Sequence, residues 1–391
     1  MKHLQDKQIA IIGGGPGGLT LARLLQLKGA KVTVFERDLH EHVRVQGATL
    51  DLHDDSGLKA LRQAGLLDAF KANYRPGADK MRIVDKHAAI LLDPDINGHN
   101  EMSRPEIDRG PLRKILLASL LPGTVIWNSR LVSLSKATPA ATGWTLEFQH
   151  DPAGAPTSAF ADIVIAADGA NSKVRPYLTP IKPFFSGVTA IEATVYDAAT
   201  TVPHINKLLN GGKIFALGDE KTLIVSSRGD GSLQFYTGVK TTADWSQTSG
   251  IDFTSTASMR TWFEQTFAGW DDSWLALFDH AATPFIPRPQ YCMPLDQHWE
   301  SLPDLTMLGD AAHVMPPYAG EGVNMAMLDA LELSECLTDP AFPDTRTAIA
   351  AYEKKMGARF AEVGNDTMQQ TAALHAPDGL NYLVEMFDRD R

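Results

Sequence analysis

Cysteine is almost missing from this chain: Cys292 and Cys336 are the two in 391 residues, far apart and in no CxxC or CxxxxC unit. That excludes a disulfide scaffold and a zinc ribbon, argues against a dithiol reductase, and agrees with a reducing compartment. No uninterrupted apolar run approaches the about 18 residues of a membrane span. Runs of basic residues are lacking too. With 36 Lys+Arg against 47 Asp+Glu the formal net charge is −11, and a nucleic-acid partner, which needs a concentrated basic face, is set aside. A secretory signal is not expected, because the apolar stretch from Ile9 to Ile12 is cut at once by a glycine-rich turn with no small-residue cleavage site. The expectation is a cytoplasmic monomer that acts on a small molecule. What is present is ordinary globular composition, 44% apolar and 21% charged, in a chain of two to three domain lengths or one domain with a large insertion.

Periodicity divides the chain. Residues 8–12 read as a buried strand, 19–27 as a helix ended by Gly29, and 31–36 as a second strand, together a βαβ unit. A helix is predicted over 111–121, with Asp108 as its candidate cap and Pro111 in its first turn. Strands are predicted over 125–134, 144–149 and 162–167. From residue 189 to 239 short alternating segments separated by glycine and aspartate turns predict antiparallel sheet. A buried strand over 305–308 and helices over 324–337 and 346–374 close the chain. The fold class is α/β, a Rossmann-like nucleotide domain with an inserted antiparallel-sheet domain and C-terminal helices. Its boundaries are placed at 1–77, 105–178 and 287–340 for the nucleotide-binding part, 78–104 and 179–286 for the sheet part, and 341–391 for the helical segment.

The chemistry sits in three segments. Gly13-x-Gly15-x-x-Gly18 lies between a predicted strand and a predicted helix, where glycines allow a tight turn and close approach to a diphosphate. The helix N-terminus there offers unpaired N–H groups and a positive dipole end. Glu36 ends the second strand at the distance suited to ribose hydroxyls. FAD and NAD both use this unit, so it does not choose between them. The second segment, residues 162–175, ends a buried strand at Asp168-Gly169. In the third, a strand runs into Gly309-Asp310 and through a Pro/Gly loop containing Pro317, Gly320 and Gly322 into a helix. Asp310 can accept from polyol hydroxyls, and the glycines bring backbone N–H groups up to a flat ligand. His313 has no second ligand at metal spacing and is read as a hydrogen-bonded loop residue, so no metal is expected. Trp262, Trp270, Trp274, Phe263 and Phe267 fall at helical spacing and are read as core.

In this order and spacing the three segments resemble the FAD-dependent aromatic hydroxylases of the p-hydroxybenzoate hydroxylase type, over nearly the whole chain. Stretches such as Thr49-Leu50-Asp51-Leu52-His53 and Gly309-Asp310-Ala311-Ala312-His313 most resemble the tetracycline-inactivating TetX-type branch. The resemblance implies that Gly13, Gly15, Gly18 and Glu36 hold the ADP-ribose end of FAD, that Arg109 reaches FAD, and that Asp310 holds the ribityl chain. Arg44 and Asp51 match positions near flavin and nicotinamide, Asp168 and Gly169 a pair tied to both FAD and NAD(P)H, and Pro317, Gly320 and Gly322 the loop beside the flavin ring. Glu321 departs from the pattern, standing where Gln is common, and is expected to turn its carboxylate away from the ring. The implied activity is monooxygenation. NAD(P)H (NADPH or NADH) reduces FAD, O2 is the cosubstrate, and one oxygen reaches an electron-rich aromatic or enol carbon, so no side-chain nucleophile is required.

With one GxGxxG in the chain, NAD(P)H is expected to bind transiently near Arg44 and the Asp168-Gly169 turn. The substrate pocket is expected between the flavin and the inserted sheet, lined by Glu192, Lys213, Phe215, Gln234 and Tyr236. TetX-type enzymes carry a Gln, an Arg and a His where this chain reads Glu192, Lys213 and Gln234, and Lys cannot replace the bidentate fork of Arg. Glu192 adds a negative charge that would repel an enolate unless it pairs with Lys213. Tetracycline inactivation is one reading. The alternatives are a same-fold flavin oxidoreductase for another phenolic or polyketide substrate, or a flavin-binding redox sensor without turnover. A flavin halogenase is disfavoured because W-x-W-x-I-P is absent.

Overall fold

The computed structural model describes residues 4–43, 48–93, 104–136, 138, 142–151 and 154–389. At its centre is a five-stranded parallel sheet in the order Leu305–Met307, Ile163–Ala166, Gln8–Ile12, Lys31–Phe35, Val125–Ile126. The strands Ile163–Ala166 and Leu305–Met307 are buried along their whole length, as parallel strands covered on both faces must be. Helices Pro16–Leu27 and Gly322–Thr338 pack together over one face. The antiparallel strands Arg130–Ser135, Trp144–Gln149 and Thr157–Ala161 contribute Leu131, Leu134, Trp144, Leu146 and Phe148 to the same core, with Phe35 stacked on Phe148 at 4.4 Å.

The inserted sheet has seven strands, ordered Ile286–Cys292, Phe184–Val195, Leu233–Lys240, Lys221–Ser227, Lys213–Gly218, Met81–Asp85, Ile90–Leu92. Side chains alternate across it. Ile191, Ala193, Ile214, Ala216 and Phe235 pack into a core with Trp262, Phe263, Phe267, Trp270 and Trp274. The intervening residues, Glu192, Lys213, Phe215, Gln234 and Tyr236, therefore share the opposite face.

Several boundaries differ from the sequence expectations for physical reasons. The first helix begins at Pro16, with proline in its first turn and the extended Gly15 as N-cap. The helix predicted over 111–121 spans Arg109–Ala118, and the Asp108 side chain does not cap it. One Asp108 carboxylate oxygen instead accepts the Gly229 N–H at 2.9 Å. The strand predicted over 125–134 breaks at Asn128, whose φ of 54° cannot continue a strand. The domain boundary at 287 also shifts. Strand Ile286–Cys292, placed by sequence mostly in the nucleotide domain, pairs with Phe184–Val195 in the inserted sheet. It is an edge strand, which tolerates Pro287 and Pro289 because one side of its backbone needs no ladder partner. The C-terminal segment forms helices Thr345–Leu374 and Gly379–Arg389, and the second lies on strands Lys213–Gly218 and Met81–Asp85. Among the described residues no helix is long and apolar enough to cross a membrane.

Candidate active site

The two sheets and the C-terminal helices enclose a cleft of about 1850 Å³. Pockets for one drug-sized molecule reach about 1,000 Å³, so a dinucleotide and a second ligand fit together. Gly13, Gly15, Gly18, Glu36, Asp51, Arg109, Asp168, Gly169, Asp310, Pro317, Gly320 and Gly322 all line it, as do Lys213, Phe215 and Tyr236. Arg44 lies outside the described residues. Glu192 and Gln234 are on the same sheet face but are not part of the cleft wall.

The glycine turn has two kinds of glycine. Gly13 sits at φ 110°, and a Cβ there would lie 2.2 Å from the Ala167 carbonyl oxygen; a Cβ on Gly18 would lie 2.2 Å from the Gly13 carbonyl oxygen. Those two let the turn form at all. A Cβ on Gly15 would meet nothing within 4 Å, because that position faces the open cleft. No side chain caps helix Pro16–Leu27, so its first N–H groups are left for an anionic ligand. Helix Gly322–Thr338, also without a side-chain cap, starts at the same cleft. Glu36 is buried, and its two carboxylate oxygens accept the Gly14 N–H and the Asp38 N–H, the latter at 2.9 Å. It braces the turn while keeping lone pairs toward the cleft.

Asp168 accepts the Lys173 N–H at 2.7 Å through one oxygen, while its other oxygen is buried without a hydrogen-bond partner. Burial raises its pKa. Asp310 opens onto the cleft. The protein mass around it raises its pKa, against the pull of His313, Arg109 and Arg175. An orphaned carboxylate oxygen at the cleft wall, a carboxylate opening into it, two uncapped helix N-termini and Arg109 form a donor and acceptor set that fits the diphosphate and polyol of FAD.

Other residues hold this set in place. Arg175 is buried and donates to the main-chain carbonyls of Ala170 at 3.0 Å, Asp310 at 2.9 Å and Ala311 at 2.7 Å, tying the Asp168 turn to the Asp310 turn. It closes the second segment in sequence, and only its position there signalled it. Asp329 is fully buried and accepts from Gly309 N–H at 2.8 Å, His313 Nε2 at 2.6 Å and Arg359 at 2.7 Å. Burial favours its neutral form, but His313, Arg359 and the Gly309 N–H overcome this and lower its pKa.

At the sheet end, Asp51 stands opposite Glu106 in a two-stranded ribbon. Facing carboxylates repel. Lys213 resolves the conflict by pairing with Glu106, which also accepts the Thr49 hydroxyl. The two acids split: burial dominates at Glu106 and raises its pKa, whereas at Asp51 burial is outweighed by His53, Lys213 and Arg104 and the pKa falls. Glu192 does not pair with Lys213. Its carboxylate accepts from Arg288 at 2.8 Å and from Gln234 at 3.1 Å, one strand away on each side. The Glu192, Lys213 and Gln234 trio is therefore not one grip. The Tyr236 hydroxyl instead accepts the Ala48 N–H at 3.2 Å, and Arg109 donates to the Ala48 carbonyl at 3.1 Å, which links the two ends of the cleft. The Glu321 carboxylate is turned to His53 Nδ1, at 3.2 Å.

The sequence reading missed most of the far wall. Met81, Leu374, Leu383, Met386 and Phe387 line it, the last three from the C-terminal helix. Tyr318 lines it too, donating its hydroxyl proton to His375 Nε2 at 2.9 Å, while His375 Nδ1–H donates to the Glu220 carbonyl at 3.0 Å. The amphipathic pattern of 379–389 was the one available signal for that wall.

A family model described as an FAD binding domain matches residues 6–266 and 302–362. Monooxygenase penA of Penicillium thymicola is 29% identical over 376 residues, covering 86% of this chain and 86% of its own. The 3-amino-4-hydroxybenzoate 2-monooxygenase PtmB3 of Streptomyces platensis is 28% identical over 388 residues, covering 97% and 92%. Among solved structures, Klebsiella pneumoniae HpxO complexed with FAD and uric acid superposes with a TM-score of 0.75 at 20% identity, over 99% of this chain and 94% of that one. The tetracycline destructase Tet(51) superposes at 0.68 and 17% identity, over 95% and 91%. At these identities the two structures show the fold.

Proposed function

The chain belongs to the FAD binding domain family and is an FAD-dependent monooxygenase; on that premise we propose that it consumes NAD(P)H and O2 to hydroxylate an electron-rich carbon of a polycyclic phenol or enol. The observation that carries the substrate class is the continuity of the cleft from the glycine turn to a lobe walled by Phe215, Tyr236, Met386 and Phe387 around Lys213. Flat apolar walls take fused rings, and an ammonium beside the ring oxygen favours its anionic, more nucleophilic form.

When bound, FAD supplies electron acceptance from the nicotinamide and activation of oxygen. The chain does the rest. The uncapped N-terminus of helix Pro16–Leu27 and Gly15 would hold the diphosphate, Glu36 the ribose, Asp310 and Arg109 the polyol region. The N-terminus of helix Gly322–Thr338 would set positive potential at the ring edge. The apolar residues Leu383, Met386 and Phe387 of the far wall would help keep water from the bound ring. The Asp168-Gly169 turn, which lines the cleft, would meet the nicotinamide.

Mass spectrometry of NADPH-fed and NADH-fed reactions over simple phenols, polycyclic polyketides and tetracyclines tests this. A mass gain of one oxygen on a polycyclic phenol or enol, with substrate-stimulated NAD(P)H oxidation, is expected. Tetracycline oxidation is the narrower form of the reading and is one arm of the panel. FAD binding with no stimulated oxidation on any compound would refute turnover and leave a flavin-binding sensor.

A further inference from the structure

We propose that Asp51, His53 and Glu321 form a proton relay that joins the cleft to a second cavity behind it and delivers the proton each monooxygenation consumes. The inference rests on the proposed function. In that reaction the nicotinamide gives a hydride, one atom of O2 enters the substrate C–H bond as hydroxyl, and the other leaves as water. Charge and hydrogen balance only if one further proton enters per turnover.

The second cavity, of about 310 Å³, is lined by His53, Asp55, Ser56, Arg104, Glu321 and Arg359 among others. Asp51 belongs to the cleft wall and His53 to the second cavity, while Glu321 and Arg104 line both. His53 bridges the two sides. Its Nε2 lies 3.0 Å from Asp51 and its Nδ1 3.2 Å from Glu321. Asn324 fixes the backbone that carries both residues, accepting the His53 main-chain N–H at 2.9 Å and donating to the Asp51 carbonyl at 3.0 Å.

Carboxylates on both ring nitrogens require both to be protonated. Burial opposes this charge, but Asp51 and Glu321 prevail and push the His53 pKa up to about 9. The remaining charged groups around it are Asp55, Arg104 and Arg359 across the second cavity, and Lys213 and Glu106 beyond Asp51. His53 thus stands loaded at neutral pH. Donation from Nε2 to Asp51 leaves a neutral ring protonated at Nδ1. The bared Nε2 is reloaded by a solvent proton arriving through the second cavity, which His53 lines, while the Nδ1–H stays on Glu321. Glu321 then has a role that the commoner Gln cannot fill, since a neutral amide lacks the charge that holds the Nδ1 proton and keeps the ring loaded. His53 acts through Asp51 and is a positioning and relay residue.

Nitrogen NMR of the purified flavoprotein and kinetics of His53→Gln and Glu321→Gln test the relay. The His53 ring should stay doubly protonated to about pH 9, and Glu321→Gln should lower that midpoint by about one pH unit. His53→Gln should cut coupled hydroxylation by about a hundredfold, the low end of what a lost acid–base group costs, and added imidazole should restore part of it through the second cavity. A neutral His53 at pH 7, a His53→Gln variant within about twofold of the parent, or a loss that imidazole does not relieve would overturn the relay. A parent that oxidises no NAD(P)H overturns the functional reading and the relay together, whereas a parent that turns over beside an equally active His53→Gln overturns the relay alone.

Discussion

Replacing Asp329 by Asn removes one buried charge and leaves the shape intact. Three donors lose their anionic acceptor: Gly309 N–H, His313 and Arg359. Arg359 keeps Glu332, at 2.8 Å, so the main uncompensated loss falls on His313 and on the turn that carries Asp310. Removing one partner of a buried pair costs about 3–5 kcal/mol. An unfolding entropy of about 2.1 cal/mol/K per residue makes that a fall in Tm of about 4–6 °C for a chain of 391 residues. The same change should loosen Gly309 and Asp310 and weaken FAD retention, which a surface defect would not do. Calorimetry with and without added FAD, beside a fluorescence titration of FAD, measures both. The sign with pH follows as well. The Asp329 pKa is lowered from 3.8, so its contribution is present above that value and is lost as pH falls below it. The parent's lead over the variant should therefore shrink on acidification below about pH 4. A Tm within about 1 °C of the parent at pH 7, with unchanged FAD affinity, would refute the assignment of Asp329 as the brace of the Asp310 turn.

Gly15→Ala should leave the Tm of the FAD-free protein unchanged and weaken FAD binding, because its Cβ enters open cleft, whereas Gly13→Ala should lower both, since its Cβ collides with the Ala167 carbonyl; parallel melting and FAD titration separate them. The His53 pKa is raised from 6.5 to about 9, so its stabilisation is complete below pH 6.5 and lost as pH rises through 9, and a Tm–pH series should show a decline there that His53→Gln abolishes. Lys213→Met should raise the substrate KM with FAD content unchanged, and the stranded Glu106, its pKa already raised by burial, should bind a proton; steady-state kinetics and a carboxyl-region infrared titration check this. Arg44→Ala should raise the NAD(P)H KM more than it disturbs FAD content, and loss of FAD with an unchanged KM would contradict the nicotinamide groove.

Local chemistry made half of this protein legible in its sequence. The parallel core reads from near-continuous apolar runs such as Ile9 to Ile12, and the glycine turn from a spacing that works only between a strand and a helix. The alternation that sends Lys213, Phe215 and Tyr236 to one face and Ile214, Ala216 and Phe235 to the other has period two, which belongs to a single strand and needs no partner to be seen. What the tertiary structure alone decided is pairing between distant segments. Glu192 meets Arg288, not Lys213, because strand Ile286–Cys292 docks at the sheet edge and Glu106 reaches Lys213 first. Glu321 turns to a histidine 268 positions earlier, and the C-terminal helix closes the cleft over the sheet. Contacts of that separation are set by how whole layers pack, and the spacing of residues along one segment carries no record of them.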